Sequence, residues 1–333
     1  MIKRAIEALV VICCFGASFA NSLPTAQAQT TVKTPQAGQN PFSVLPSATD
    51  REITTFDEPH LCWLPTAAPR NQLVVFIPGT NGAPRSRFPY LETAAGLGYH
   101  VISLMYPDSI AAQSLMNDPN PQAYVQFRTA IIQGGQYPPT LKVSRADSIE
   151  NRLQKLLVYL SSRQPGQGWN QFLDNSNQVN WSKLVVTGHS QGGGHTYMIA
   201  KLHEVARAIM LGSPKDFSRY FGKPPDGFDS NTKTPLDRFF AFNHMQDRKA
   251  GCNHDQQMQT LTQMGLTSFG SIDADHPPAN YNHAHLLFTN IPFDANNPGS
   301  AHSSVLGLSR EITPEANAIC SGAWRYMFSE PVR

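Results

Sequence analysis

Lys183-Leu184-Val185-Val186-Thr187-Gly188-His189-Ser190-Gln191-Gly192-Gly193-Gly194 is the stretch on which the reading of this chain turns. An apolar, β-branched run enters a Gly-x-Ser-x-Gly turn, and a helical pattern follows from Thr196 to Leu202. A turn this sharp holds its central serine in a strained backbone conformation. Side chains two positions to either side would collide, so Gly188 and Gly192 carry none. The Ser190 hydroxyl is thereby pushed out over the end of a strand, where a small molecule can reach it. The competing reading is a glycine-rich turn that only cradles an anion.

Working outward, Leu73-Val74-Val75-Phe76-Ile77 is an unbroken apolar run, the signature of a parallel strand buried on both faces. It ends in the turn cluster Pro78-Gly79-Thr80-Asn81-Gly82. Residues 88–97 read as a helix and residues 100–106 as the next strand, which together make a βαβ unit. Residues 122–132 read as a second helix. Ile149, Leu153, Leu156, Leu157 and Leu160 then repeat at helical spacing, with Ser144 as the expected N-cap and Asp147 three residues on. Beyond the serine, residues 206–211, 238–242, 267–272 and 285–289 read as strands and residues 254–264 as a helix. A last helix is expected over residues 314–328, with Thr313 as N-cap and Pro314 at the first helical position. Residues 53–65 suit an edge strand. The alternation predicts an α/β fold: a mostly parallel sheet with helices on both faces. The gap from Gly212 to Arg238 is short and rich in Pro and Gly, so no large cap domain is expected.

The chain has 333 residues, 41% apolar, with a formal net charge of +2. That suits one large domain with a substantial core and offers no basic stripe for nucleic acid. The N-terminus reads as a secretory signal peptide over residues 1–28: a basic start, a short apolar core and a small-x-small site at Ala26-Gln27-Ala28. A flexible lead-in is expected over residues 29–50 and a single domain over 51–333. The product is expected to be secreted or periplasmic, without a stable membrane anchor. Three cysteines remain after the signal, Cys62, Cys252 and Cys320, and an oxidising compartment would allow one disulfide, for which Cys252–Cys320 is the favoured pair.

From residues 73 to 328 the order of elements resembles the α/β-hydrolase superfamily, more loosely its secreted esterases and lipases. The resemblance is specific at the Gly188–Gly192 turn, which matches the nucleophile elbow, and at the Pro78–Gly82 turn. It implies that Ser190 is a nucleophile followed in the chain by an acid and then a histidine. Asp247 matches the acid, with Asp255 and Asp216 as alternatives. His302 matches the histidine, with His283 and His285 as alternatives. The oxyanion donors are then the N–H groups of Gln191 and Thr80, although Pro-Gly-Thr-Asn-Gly departs from the His-Gly-Gly-Gly of many family esterases. The implied chemistry is two-step acyl transfer from a small-molecule or lipid-like carboxylic ester, with no cofactor and no metal.

Other features carry weaker expectations. Phe217, Tyr220, Phe221 and Phe228 either line an acyl groove or staple a loop to the sheet. His283-x-His285 has a spacing zinc can use, but lacks a third ligand at a definite spacing. His189 and His195 flank the serine and are expected to pack or to shape the pocket. A catalytically silent binding protein of the same fold is the alternative function class.

Overall fold

Strand residues of this chain bury alternately to two sides. On β3 (Leu73–Ile77), Leu73, Val75 and Ile77 face one hydrophobic cluster, and Val74 and Phe76 face another. A strand buried on both faces needs a layer of helices on each. The computed structural model describes residues 41–85, 88–297, 299–308 and 313–331. The first cluster is closed by α3 (Ala123–Gln133), α4 (Ile149–Arg163), α5 (Gln191–Leu202) and α6 (His254–Gln263). The second is closed by α2 (Pro89–Gly96) and α8 (Pro314–Ser329). A short α1 (Pro46–Thr49) and α7 (Ser300–Ser304) complete the helices, and β5 (Gly135–Gln136) and β6 (Lys142–Val143) form a separate ribbon.

The main sheet has nine strands. They are β1 (Phe42–Val44), β2 (His60–Trp63), β3, β4 (His100–Ser103), β7 (Leu184–His189), β8 (Arg207–Leu211), β9 (Phe239–His244), β10 (Ser271–Asp273) and β11 (Leu286–Thr289), in the spatial order β1-β2-β4-β3-β7-β8-β9-β11-β10. Every neighbouring pair from β4 across to β10 is parallel, and β2 runs against both of its neighbours. The chain leaves β3 toward β4 on one side and later returns to place β7 on the other. That reversal opens a crevice beyond the carboxyl ends of β3 and β7, where ligands bind in open α/β sheets. The turn after β3 carries Thr80, and the turn after β7 carries Ser190.

This is the α/β-hydrolase fold that the element order predicted, without a helical cap: between β8 and β9 the chain forms only a small bridge, Ser218 to Lys223, and one turn of 3-10 helix over Leu236–Arg238. Several local expectations need correction. The lead-in does not reach Asp50, because β1 pairs Phe42 with Cys62 and Val44 with His60; two apolar residues among Pro and Ser suffice for an edge strand. Strand β2 is accordingly one position in from the edge. The cap of α4 is Ser148, whose Oγ accepts the Asn151 N–H. Ser144 instead donates to Asp147 at 2.8 Å, and Asp147 pairs with the buried Arg152 at 2.9 Å. The expected strand over residues 267–272 is a 3-10 turn followed by β10. Thr313 caps α8 through the Ala316 N–H, with Pro314 at the first position. Cys252 and Cys320 do not pair; all three described cysteines are free and buried. Cys320 packs from α8 into the second cluster, whereas Cys252 lies in the loop before α6, a separation that sequence position does not reveal. The expected signal peptide, and the expected lead-in before residue 41, lie outside the described residues. Among those described, no helix is long and apolar enough to cross a membrane.

Candidate active site

The elbow forms because its glycines let three backbones meet. A Cβ on Gly192 would collide with the Ile77 carbonyl at the end of β3, and one on Gly188 with the Gly192 carbonyl. Ser190 takes φ 58° and ψ −120°, a conformation that costs a non-glycine residue on the order of 1–3 kcal/mol. Its N–H donates to Leu211 O at 2.9 Å, which ties the turn to β8.

A fully buried arginine holds the helix behind the serine. Arg128, from α3, donates through Nη1 to Gln191 O at 2.9 Å and through Nη2 and Nε to Asp216 Oδ1 at 2.6 and 2.9 Å. Its guanidinium fills the space a Gly194 side chain would need. Asp216 is therefore a structural partner and not the acid of the site. Replacing Arg128 by alanine is expected to cost about 3–5 kcal/mol of stability, because Asp216 is left charged and buried. Denaturant unfolding of Arg128→Ala against Arg128→Ala/Asp216→Ala checks this: the double variant should recover part of the loss.

Asp247 and His302 come together. His302 Nδ1 donates to Asp247 Oδ2 at 2.6 Å, with Asp247 fully buried and His302 nearly so. Asp247 follows β9, as the resemblance implied, while His302 sits inside α7 and not on an open loop. Burial alone would raise the Asp247 carboxyl; the bond and charge of His302, with the Lys215 ammonium, outweigh it and hold the group at about 2. It is ionised at neutral pH and holds the imidazole by Nδ1, leaving Nε2 as the nitrogen that could take a proton. His302 Nε2 is buried and makes no hydrogen bond to any described residue. It and Ser190 line one cleft of about 270 Å³.

The two expected oxyanion donors are free to act. Neither the Thr80 nor the Gln191 N–H donates to another group among the described residues. The Gln191 side chain sets their relation: Oε1 accepts from Thr80 Oγ1 at 3.0 Å and from the Ala112 N–H at 2.7 Å, while Nε2 donates to Ile110 O at 3.2 Å. Gln191→Ala keeps its own backbone donor but releases the Thr80 turn. Steady-state kinetics should show kcat down by about 10- to 100-fold, the scale set by slight misplacement of a reacting group, with KM little changed.

Two further residues, Asp108 and Lys215, escaped the sequence reading, and His189, expected to pack or to shape the pocket, lines the cleft and does more. Asp108, just past Pro107, accepts the Gly82 N–H at 2.8 Å and so braces the Thr80 turn from behind. Burial lifts its carboxyl to about 6 against that bond. Lys215 is buried with Nζ 2.9 Å from Asp247 Oδ2, and it also donates to Cys252 O at 2.8 Å. His189, whose ring burial keeps neutral by lowering it to about 3, donates from Nε2 to His302 O at 2.9 Å. It thus clamps the histidine helix against the elbow. A lysine among strand-end residues and a histidine beside the serine were visible in the sequence, but their partners lie 32 and 113 positions away.

The remaining candidates go elsewhere. Asp255 is in the first turn of α6. His283 pairs with Glu330 at 2.5 Å, while His285 donates to Phe239 O at 2.9 Å and stacks on Phe240 and Phe269. The two histidines therefore do not converge on one point. His195 is enclosed between Tyr106 and Phe127. Of the two readings of Phe217, Tyr220, Phe221 and Phe228, the acyl groove is not formed, since none lines the cleft with Ser190, while Phe217 and Phe228 are buried as a stapled loop requires. Phe228 stacks on Tyr197 in the core, and Tyr220 and Phe221 are exposed. The apolar walls are Phe76, Phe88, Leu306 and Leu308.

The fold is an α/β-hydrolase sheet that carries a serine elbow, with the histidine of a histidine–aspartate pair lining the same cleft. Against solved structures the chain is similar to TT1662 from Thermus thermophilus (11% identity, TM-score 0.39, covering 87% of this chain and 98% of that one). It is similar to the acetyl xylan esterase from Aspergillus awamori (15%, 0.38, 68% and 78%) and to an alpha-beta serine hydrolase homologue from Coxiella burnetii (10%, 0.41, 77% and 88%). No protein-family model and no curated protein matches the sequence.

Proposed function

We propose that the protein is a serine hydrolase that cleaves a carboxylic ester through an acyl-enzyme on Ser190. The observation that carries this reading is His302 on the same cleft as Ser190, its Nδ1 held by an ionised Asp247 and its buried Nε2 without a hydrogen bond to any described residue. Ser190 Oγ attacks the ester carbonyl as His302 Nε2 takes its proton. The oxyanion of the tetrahedral intermediate rests on the N–H groups of Gln191 and Thr80, each worth about 3–4 kcal/mol in such a role. His302 then protonates the leaving alcohol, and water enters by the same route to release the acid and regenerate Ser190. Each turnover consumes one water and yields one acid and one alcohol.

The shallow, uncapped site suits a small-molecule or lipid-like ester. A secreted or periplasmic location belongs to the same proposal and rests on the N-terminal sequence alone. Stopped-flow mixing with 4-nitrophenyl acetate tests the reaction: a burst of one nitrophenolate per protein, then a slower steady rate, is the expected trace. Absence of both burst and turnover would favour a silent binding protein of this fold.

A further inference from the structure

The cleft beside Ser190 has charge of one sign. Arg85 and Lys249 line it, and among its described lining residues there is no aspartate or glutamate. Neither cation is in an ion pair with any described residue. This is local, because the whole chain carries only +2. The two carboxylates of the loops that build the site are already engaged. Asp247 is buried against Lys215 and His302, and Asp108 is turned inward onto the Gly82 N–H. The neutral His189 ring adds no charge. The cations also come from the two loops that build the site. Arg85 lies three residues past Gly82 on the oxyanion turn. Lys249 lies two past Asp247, with its own N–H on Asp247 Oδ1 at 2.9 Å. The same cleft is lined by Phe76, Phe88, Leu306 and Leu308.

Resting on the hydrolase reading above, we propose that the ester taken at Ser190 carries a negatively charged group, bound by Arg85 and Lys249, on an otherwise apolar stem. Two cations without an ion-pair partner among the described residues, lining a cleft with apolar walls, raise the local concentration of such an anion and orient it, at the cost of sensitivity to salt. The bond cleaved and the path of the proton are those given above.

The test uses two matched ester pairs with the full-length mature protein. One pair, 4-nitrophenyl hexanoate and mono-4-nitrophenyl adipate, places the charge on the acyl side. The other, methyl 4-acetoxybenzoate and 4-acetoxybenzoate, places it on the alcohol side. In at least one pair the anionic member should have a kcat/KM about tenfold higher or more at low ionic strength. That ratio should fall toward one in Arg85→Ala/Lys249→Ala, and should shrink as salt is raised to about 0.5 M. Which pair responds assigns the charge to the acyl or the alcohol part. A neutral member that is faster in both pairs overturns the proposal and leaves the hydrolase reading intact. So does a ratio that neither salt nor the double variant moves. If no ester turns over and a fluorophosphonate leaves Ser190 unlabelled, the hydrolase reading falls and this proposal with it.

Discussion

Ser190→Ala is expected to lower kcat/KM for ester cleavage about a million-fold, the scale seen when a serine nucleophile is removed from an intact triad. The reason is specific to the geometry. Gln191, Thr80, Asp247 and His302 are all fixed by bonds that do not involve the Ser190 hydroxyl. The substitution removes one oxygen and leaves the cleft otherwise assembled, so residual activity should be that of binding and oxyanion stabilisation alone. The elbow keeps its φ of 58°, which alanine tolerates no better and no worse than serine. The melting temperature should therefore stay within a few degrees of wild type, and a calorimetric scan beside the kinetics separates lost chemistry from lost fold.

The second large effect is expected at Asp247. Asp247→Asn should reduce kcat about 10⁴-fold, because an amide no longer selects the imidazole tautomer with a bare Nε2 toward the serine. Here the consequence reaches further, since Lys215 shares the same carboxylate oxygen at 2.9 Å and would be left as a buried cation without its counter-charge. Stability should fall along with activity. The double variant Asp247→Asn/Lys215→Met should recover part of the stability without restoring kcat.

The same carboxylate sets a pH dependence. Its folded pKa, about 2, lies below the ordinary 3.8. A depressed acid contributes stability that is complete above the unfolded value and is lost as pH falls through the folded one. About 2–3 kcal/mol should disappear between roughly pH 4 and pH 2 in wild type. Asp108, raised to about 6, runs the other way: its burial opposes folding more strongly as pH rises from about 4 to 6. Asp50, Asp147 and Glu150 are also held below the ordinary carboxylate range, so the Asp247 contribution is read as the difference between Asp108→Asn and Asp108→Asn/Asp247→Asn in denaturant unfolding at each pH.

What could be read in the chain was what local pattern encodes. Runs such as Leu73–Ile77 must be buried on both faces, and the Gly188 and Gly192 spacing has a steric cause, so the parallel sheet and the elbow followed from them. Asp247 and His302 came from chain order within the resemblance, and the structure brings them within 2.6 Å. What could not be read was every partner chosen by tertiary packing. Lys215, Asp108 and the Gln191 side chain look ordinary in sequence, because the groups they hold arrive from other loops. The aromatic residues 217–228 left an acyl groove and a stapled loop equally open, because composition does not say which way a loop folds. Phe228 went to the core, and Tyr220 and Phe221 to the surface. The cysteines failed for the same reason: pairing depends on Cα approach, which spacing does not contain.

Activation of the Ser190 hydroxyl by His302 should show as covalent labelling of that one residue. Its most direct measurement is intact-protein and peptide mass spectrometry after exposure to a fluorophosphonate. The account predicts one phosphonyl adduct per chain, located on the peptide bearing Ser190, absent in Ser190→Ala and strongly slowed in His302→Ala. A folded wild-type protein that acquires no adduct, or acquires it elsewhere, would contradict it.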